Sequence, residues 1–189
     1  MDQGVRDRII SQFLKHFPAN REAAQAFAET SQLQSCKKGD IVKRAGTREE
    51  WIYLIVSGSA GIFIPGTDKT ICLDLCLEGD FLTEYESLIT GEITSCFTQC
   101  LEPCTLAKIP VSTIQCDQTG RLRGILDSAS QAMFVDRQNR LISLLTQTPM
   151  ERFSQLRRDH PELMAKVSVT VLASWLGISR EHLSRLRAR

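Results

Sequence analysis

Residues 170–189 read TVLASWLGISREHLSRLRAR: an apolar helix, a glycine, then a second helix whose arginines share one side. Val171, Leu172, Trp175 and Leu176 recur at helical spacing and predict a first helix over 171–176. Gly177 suits the left-handed conformation that ends such a helix without a Cβ clash. Ile178 then fills the angle between the helices, and Ser179 is placed to cap the second one. Leu183 and Leu186 face back toward the first helix, with Ala173 allowing a close helix contact. Arg180, Glu181, His182, Ser184, Arg185 and Arg187 project outwards.

That pattern is a helix-turn-helix, and its chemistry is that of a DNA reader. An exposed helix entering the major groove by its N-terminal end sets arginine forks against guanine edges and its positive dipole end against phosphate. Arg180 and Arg185 are the candidates for reading bases, with Glu181 and Ser184 beside them. Ser179, His182, Arg187 and Arg189 are candidates for phosphate contacts, which give affinity without sequence information. An ordinary helix pair with a solvated basic face would share the charge. It would not need a small residue, a turn glycine, a plugging isoleucine and outward arginines to coincide.

Charge along the chain points the same way. The formal net charge of +1 hides an asymmetry, because residues 150–189 carry net +4 and the preceding 149 residues net −3. A small basic C-terminal module behind a near-neutral body suits a polyanionic partner.

Immediately upstream, Thr148, Pro149 and Glu151 form a helix start with an N-cap, a proline at the first helical position and a capping box, and His160-Pro161 ends that helix. Before it, residues 121–147 place Leu122, Ile125, Leu126, Ala129, Met133, Phe134, Leu141, Leu144 and Leu145 along one long helix. Its drifting stripe can cover a domain on one side and pair with a second copy on the other. From Leu33 to about Ile109 the texture is different. Short strands such as IYLIV, AGIFI, TICLDLCL and SCFTQCLEPCTLAKI alternate with the turns KKGD, RAGT, VSGSAG, IPGTDK, LEGD and ITGE. This predicts an antiparallel barrel or roll. Residues 1 to about 32 predict two short helices, interrupted at Pro18 and Asn20.

The bulk composition, 42% apolar and 24% charged, is that of a globular protein and excludes disordered and collagen-like classes. The expected location is cytoplasmic, with no membrane partner, since no apolar run reaches bilayer-spanning length and charges interrupt the N-terminus. Seven cysteines, an odd number without an export signal, predict free thiols. Cys96, Cys100 and Cys104, read as one continuous strand, would lie about 13 Å apart in succession, too far to share a metal. They are expected to be small core residues, and no metal site is expected. His16, His160 and His182 have no glycine-rich phosphate loop, HExxH or nucleophile elbow around them, so no catalytic residues are named and no enzyme is expected.

With these motifs in place, the chain resembles the Crp/Fnr family of bacterial transcription regulators. Ser179-Arg180-Glu181 followed by Ser184-Arg185 looks like that family's recognition helix. The short chain and the HPEL segment are similar to compact, wingless Bacteroidetes-type members, and no strands are available for a β-wing. The resemblance implies an α+β chain. Its parts are a cyclic-nucleotide-binding-type double-stranded β-roll at 1–118 with flanking helices, a dimerisation helix at 119–147 and an all-α helix-turn-helix domain at 148–189. It further implies a homodimer on near-palindromic double-stranded DNA, read by the 179–188 helix, with RNA polymerase as a further partner.

In that family the ligand cassette begins at a glycine turn, offers a glutamate to the ribose and follows with an Arg-Ser pair. The matching stretch is GDFLTEYESLITGEITSCFTQ, residues 79–99. The resemblance implies a pocket at Gly79, Phe81, Thr83, Glu84, Thr94 and Ser95. Thr94 stands in place of the arginine and Thr83 in place of a glycine, so a cyclic phosphate loses its bidentate guanidinium partner. Cyclic AMP is therefore not the expected effector. No cofactor is assigned, and another small molecule is left as the effector class. The alternative is a ligand-binding or redox-responsive module without sequence-specific DNA binding.

Overall fold

The computed structural model describes residues 1–188, and all their side chains except those at 123, 127–129 and 132. Arg189, expected above to meet phosphate, lies outside the described residues, as does the side chain of Ala129. Two helices open the chain, α1 (Gln3–His16) and α2 (Arg21–Thr30). Eight strands follow: β1 (Gln32–Cys36), β2 (Ile41–Lys43), β3 (Trp51–Ser57), β4 (Ala60–Pro65), β5 (Thr70–Cys76), β6 (Phe81–Leu82), β7 (Phe97–Cys100) and β8 (Cys104–Pro110). A short helix, α3 (Tyr85–Thr90), interrupts them, and α4 (Val111–Gln115) leads to the long α5 (Arg123–Thr146). The C-terminal part is α6 (Pro149–Asp159), α7 (Leu163–Lys166), α8 (Val169–Leu176) and α9 (Arg180–Arg187). The chain is thus α+β, as expected.

The strands form two antiparallel sheets, ordered β1-β8-β3-β6 and β2-β7-β4-β5. Between them lies a core of Tyr53, Ile55, Ile62, Leu82, Leu106 and five cysteines. The other face of the first sheet, Ile52, Leu54, Val56, Ala107 and Ile109, packs on α1 and α2 through Ile9, Phe13, Ala24 and Phe27. Strict alternation along β3 and β8 thus serves two cores at once. At Gly58, between β3 and β4, a Cβ would stand 2.5 Å from the Pro103 carbonyl and 2.7 Å from Cys104 Sγ, so glycine alone permits the two turns to touch.

The segment 95–109 departs from its sequence reading. It is not one strand, because Pro103 cannot donate to a ladder and the chain turns there, passing from β7 in one sheet to β8 in the other. Cys100 and Cys104 are consequently folded together, and Cys104 lies directly opposite Cys36. The 13 Å spacing inferred for a continuous strand does not apply to them. All seven cysteines are free, and six are buried. Among the described residues no group of three or more His, Cys, Asp or Glu is placed to hold a metal, and no helix is long and apolar enough to cross a membrane.

Helix α5 divides its apolar residues between two surroundings. Leu122, just before it, and Ile125 are buried against the roll, with Leu126 and Met133 packed at its margin. Phe134, Val135, Leu141, Ile142 and Leu145 are exposed, Phe134 by 70% and Leu145 by 76%.

Candidate nucleic-acid interface and ligand site

The joint between α5 and α6 is built as its sequence predicts. The Thr148 hydroxyl accepts from the Glu151 N–H, and the Glu151 carboxylate accepts from the Thr148 N–H at 2.7 Å, with Pro149 opening α6. Helix α8 then ends in a Schellman turn. Gly177, at φ +70°, donates to the Ser174 carbonyl, and Ile178 donates to that of Ala173 at 3.0 Å. The Ser179 hydroxyl accepts from the His182 N–H at 3.1 Å and starts α9.

Leu183 and Leu186 anchor α9 in a core with Leu172, Ala173, Leu176, Phe153 and Leu156. Its opposite side presents Arg180, Glu181, Ser184, Arg185 and Arg187 fully to solvent, with Ser179 exposed and His182 half-buried. Backbone N–H groups at the helix start and the Ser179 hydroxyl hold the Glu181 carboxyl below its ordinary value. No ion pair engages Arg180 or Arg185 among the described residues. Arg187 reaches the Met164 carbonyl at 3.5 Å.

The helix pair is seated on its own roll. Strand β5 is the edge of its sheet, and the Cys72 N–H on that edge donates to Ser174 Oγ of α8 at 2.8 Å. A free strand edge is thereby covered. Leu75, Leu77 and Leu101 of the roll pack against the helix-turn-helix core. Arg140 of α5 stacks on Trp175 and donates to its carbonyl, while Arg152 Nε donates to the Leu176 carbonyl at 3.0 Å. Sequence patterning gave no sign of this docking, since it depends on which edge the roll leaves free.

The six positions proposed for a ligand pocket do not converge. Gly79 and Phe81 face the N-terminal helices. His16 Nε2 lies 2.8 Å from the Gly79 carbonyl, and Phe81 sits among Phe13, Phe17 and Phe27. Ser95 is exposed. The Thr83 hydroxyl accepts from the Tyr53 N–H at 3.4 Å, while Glu84 and Thr94 meet around a residue the sequence reading omitted, Lys43.

Glu84 caps α3. It is 2% exposed, and its carboxylate accepts from the Glu86 and Ser87 N–H groups, both at 3.2 Å. Thr94 Oγ1 donates to Glu84 Oε2 at 2.7 Å and accepts from Lys43 Nζ at 2.9 Å. The same ammonium donates to the Cys96 carbonyl at 2.9 Å and stands 3.5 Å from Glu84 Oε2. Glu49 closes the set, accepting from the Glu84 N–H at 3.1 Å and the Trp51 N–H at 3.3 Å. Burial pushes its carboxyl up to about 7.

Both oxygens of Glu84 are engaged by the protein and the residue is 2% exposed, so its carboxylate is turned into the fold rather than offered to a ligand. The lysine brings the positive charge that a ligand phosphate would otherwise call for from an arginine. Lys43 was not legible because β2 is three residues long and its register shifts between Ile41 and Lys43, which turns the lysine inwards.

Comparison with known proteins places this geometry. Residues 33–115 match the cyclic nucleotide-binding domain family. No curated protein matches the chain. Among solved structures, FixK2 from Bradyrhizobium japonicum superposes with a TM-score of 0.72 at 16% identity, over 84% of this chain and 83% of that one. The global regulator CLP of Xanthomonas campestris gives 0.66 at 19% identity, over 99% and 90%. A protein from Eubacterium rectale, assigned to the Crp/Fnr family of transcriptional regulators, gives 0.67 at 15% identity, over 91% and 85%. Residues 33–115 therefore match the cyclic nucleotide-binding domain family, and the chain as a whole shares its fold with these regulators.

Proposed function

We propose that the chain is a DNA-binding transcription regulator. It acts as a homodimer joined along α5 and reads a near-palindromic site with two copies of α9. One observation carries the reading: Arg180 and Arg185 stand exposed and unpaired among the described residues, on a helix whose other side is locked by Leu183 and Leu186. In this reading 1–118 is a sensor, 119–147 the dimerisation segment and 148–189 the DNA-binding unit. It is a regulator rather than an enzyme, located in the cytoplasm, with RNA polymerase as the partner it recruits or blocks. Its effector is not cyclic AMP, because the Lys43–Glu84–Thr94 network already fills the hydrogen bonds a nucleotide would need. For a redox-responsive reading the Cys72 and Cys76 thiols offer little, since burial keeps them protonated.

The test is fluorescence anisotropy with a site selected from random DNA and with unselected DNA, over a range of salt. Affinity is expected to fall steeply with salt as phosphate contacts release counterions. Arg185→Ala is expected to lose about 1–3 kcal/mol of preference for the selected site while leaving the fold intact. A chain with no DNA affinity at low salt would overturn the proposal.

A further inference from the structure

Where the roll, α5 and α8 meet, there is a cavity of about 350 Å³. It falls within the range of about 300–1,000 Å³ typical of small-molecule sites. It shares Phe81 with the cassette positions, but neither Lys43, Glu84 nor Thr94 lines it, so it is distinct from the cluster around Lys43. Its apolar walls are aromatic, chiefly Phe17, Phe81, Tyr85 and Trp175. Its charged walls are three carboxylates: Asp74 on β5, Asp80 in the turn before β6, and Asp136 on α5.

Each positive side chain that lines the cavity makes a contact of its own, and Arg137 and Arg140 both act on Asp74. Arg140 is stacked on Trp175 and bonded to its carbonyl. His16 makes its Nε2 contact with the Gly79 carbonyl, and His160 Nδ1 stands 3.5 Å from Glu162. The carboxylates are less well served. Asp74 accepts from the Leu75 N–H and Asp80 from the Leu77 N–H, but neither Asp74 nor Asp136 has an ion pair among the described residues. Asp80 has His16 at 3.7 Å. Burial raises the carboxyls of both Asp74 and Asp80, against the opposing charges of Arg137 and Arg140 on Asp74 and of His16 and His160 on Asp80.

We propose that this junction cavity binds a small organic cation, an amine or amidine carried on an aromatic or apolar body. The aromatic walls bury the body and stabilise the positive charge through their faces, while Asp74 and Asp136 supply the opposite charge. Because Trp175 belongs to α8 and Asp136 to α5, an occupant touches the helix-turn-helix, the long helix and the roll together. Its binding is therefore coupled to how they are seated, provided its affinity differs between seatings.

The inference does not rest on DNA binding and is tested without DNA. The chain has two tryptophans, so Trp51→Phe leaves Trp175 as the reporter. In that background 2-phenylethylamine and benzamidine are titrated while Trp175 emission is followed, with phenylacetate as the anionic control. The expected result is a saturable change with the two cations and none with phenylacetate. Asp74→Asn and Asp136→Asn should each weaken the cations at least about tenfold, or about 1.4 kcal/mol. Asp136 is exposed, so its variant reports even where Asp74→Asn fails to fold. No saturable response to either cation at millimolar concentration, equal binding of phenylacetate, or unchanged affinity in Asp136→Asn would each overturn the proposal.

Discussion

Lys43 holds its ammonium 3.5 Å from Glu84 in the interior of the roll, with both side chains at most 3% exposed. A pair this deep adds little net stability over an apolar substitute, because desolvation offsets most of the attraction. Removing one partner is a different matter. Lys43→Met leaves the Glu84 carboxylate buried without a counter-charge and is expected to cost about 3–5 kcal/mol. Adding Glu84→Gln should recover a large part of that loss, as read from urea unfolding of the single and double variants. Neighbouring Glu49 gives a pH signature. Its carboxyl rises from 4.5 to about 7 in the fold, so the native chain binds more protons than the unfolded chain between those values. This group's contribution to stability therefore falls as pH rises from about 4.5 to about 7 and is level above that. Glu49→Gln should remove this slope, so its urea midpoint relative to the wild type should be higher at pH 8 than at pH 4, while loss of one of the two backbone N–H bonds the carboxylate accepts lowers it at both. None of this was legible beforehand. Glu84 was noticed from its cassette, but its partners lie 41 and 35 residues upstream at Lys43 and Glu49, where no local pattern marks them.

Helix ends, by contrast, are set locally. The Thr148 capping box, the Gly177 turn and the Ser179 cap were all readable because each depends on residues within four positions. Gly177 is the most exacting of them. A Cβ there would meet Leu144 Cδ2 at 3.1 Å in a backbone that L residues rarely adopt. Gly177→Ala is expected to destabilise by about 1–2 kcal/mol, the cost of a left-handed non-glycine residue. Gly177→Asn should cost less, since asparagine tolerates that region, and thermal unfolding would rank the three. The contact also joins the turn of the helix-turn-helix to the end of α5, so the loss should appear in DNA affinity as well as in stability. The limits of β3, β4 and β5 were legible, whereas β1, β2 and β6 were not marked by any named run and 95–109 was read as one strand. Alternation continues through Leu101–Pro103 in the sequence, but the chain leaves one sheet for the other at that point.

At the scale of the molecule, α5 exposes several large apolar side chains along its length. Phe134, Leu141 and Leu145 are 70%, 50% and 76% exposed on a helix of 24 residues. Apolar surface of this kind, continuous along a helix, marks an interaction site. Phe134→Asp combined with Leu145→Asp is expected to give a monomer in sedimentation velocity where the wild type is a dimer. The same variant should bind a two-half-site operator much more weakly while retaining its circular dichroism. A wild type that sediments as a monomer at micromolar concentration would remove α5 as the dimer seam. The drifting stripe read from sequence was expected to cover the roll on one side and leave another side for a second copy. In the fold, Leu122 and Ile125 are covered by the roll, and Phe134 and Leu145 are exposed.

The amino-acid sequence by itself determined the order of the elements, the alternation that makes a two-sheet roll, and the helix-turn-helix. All of these rest on spacings within a turn or a strand, where geometry is fixed by the backbone repeat. The tertiary structure decided the rest: which inward lysine meets Glu84, which thiols the turn at Pro103 brings together, and which edge strand α8 covers. The lysine and edge contacts join residues 41 and 102 positions apart. Their partners are chosen by register shifts and by the closure of one sheet on another, and no local propensity encodes either.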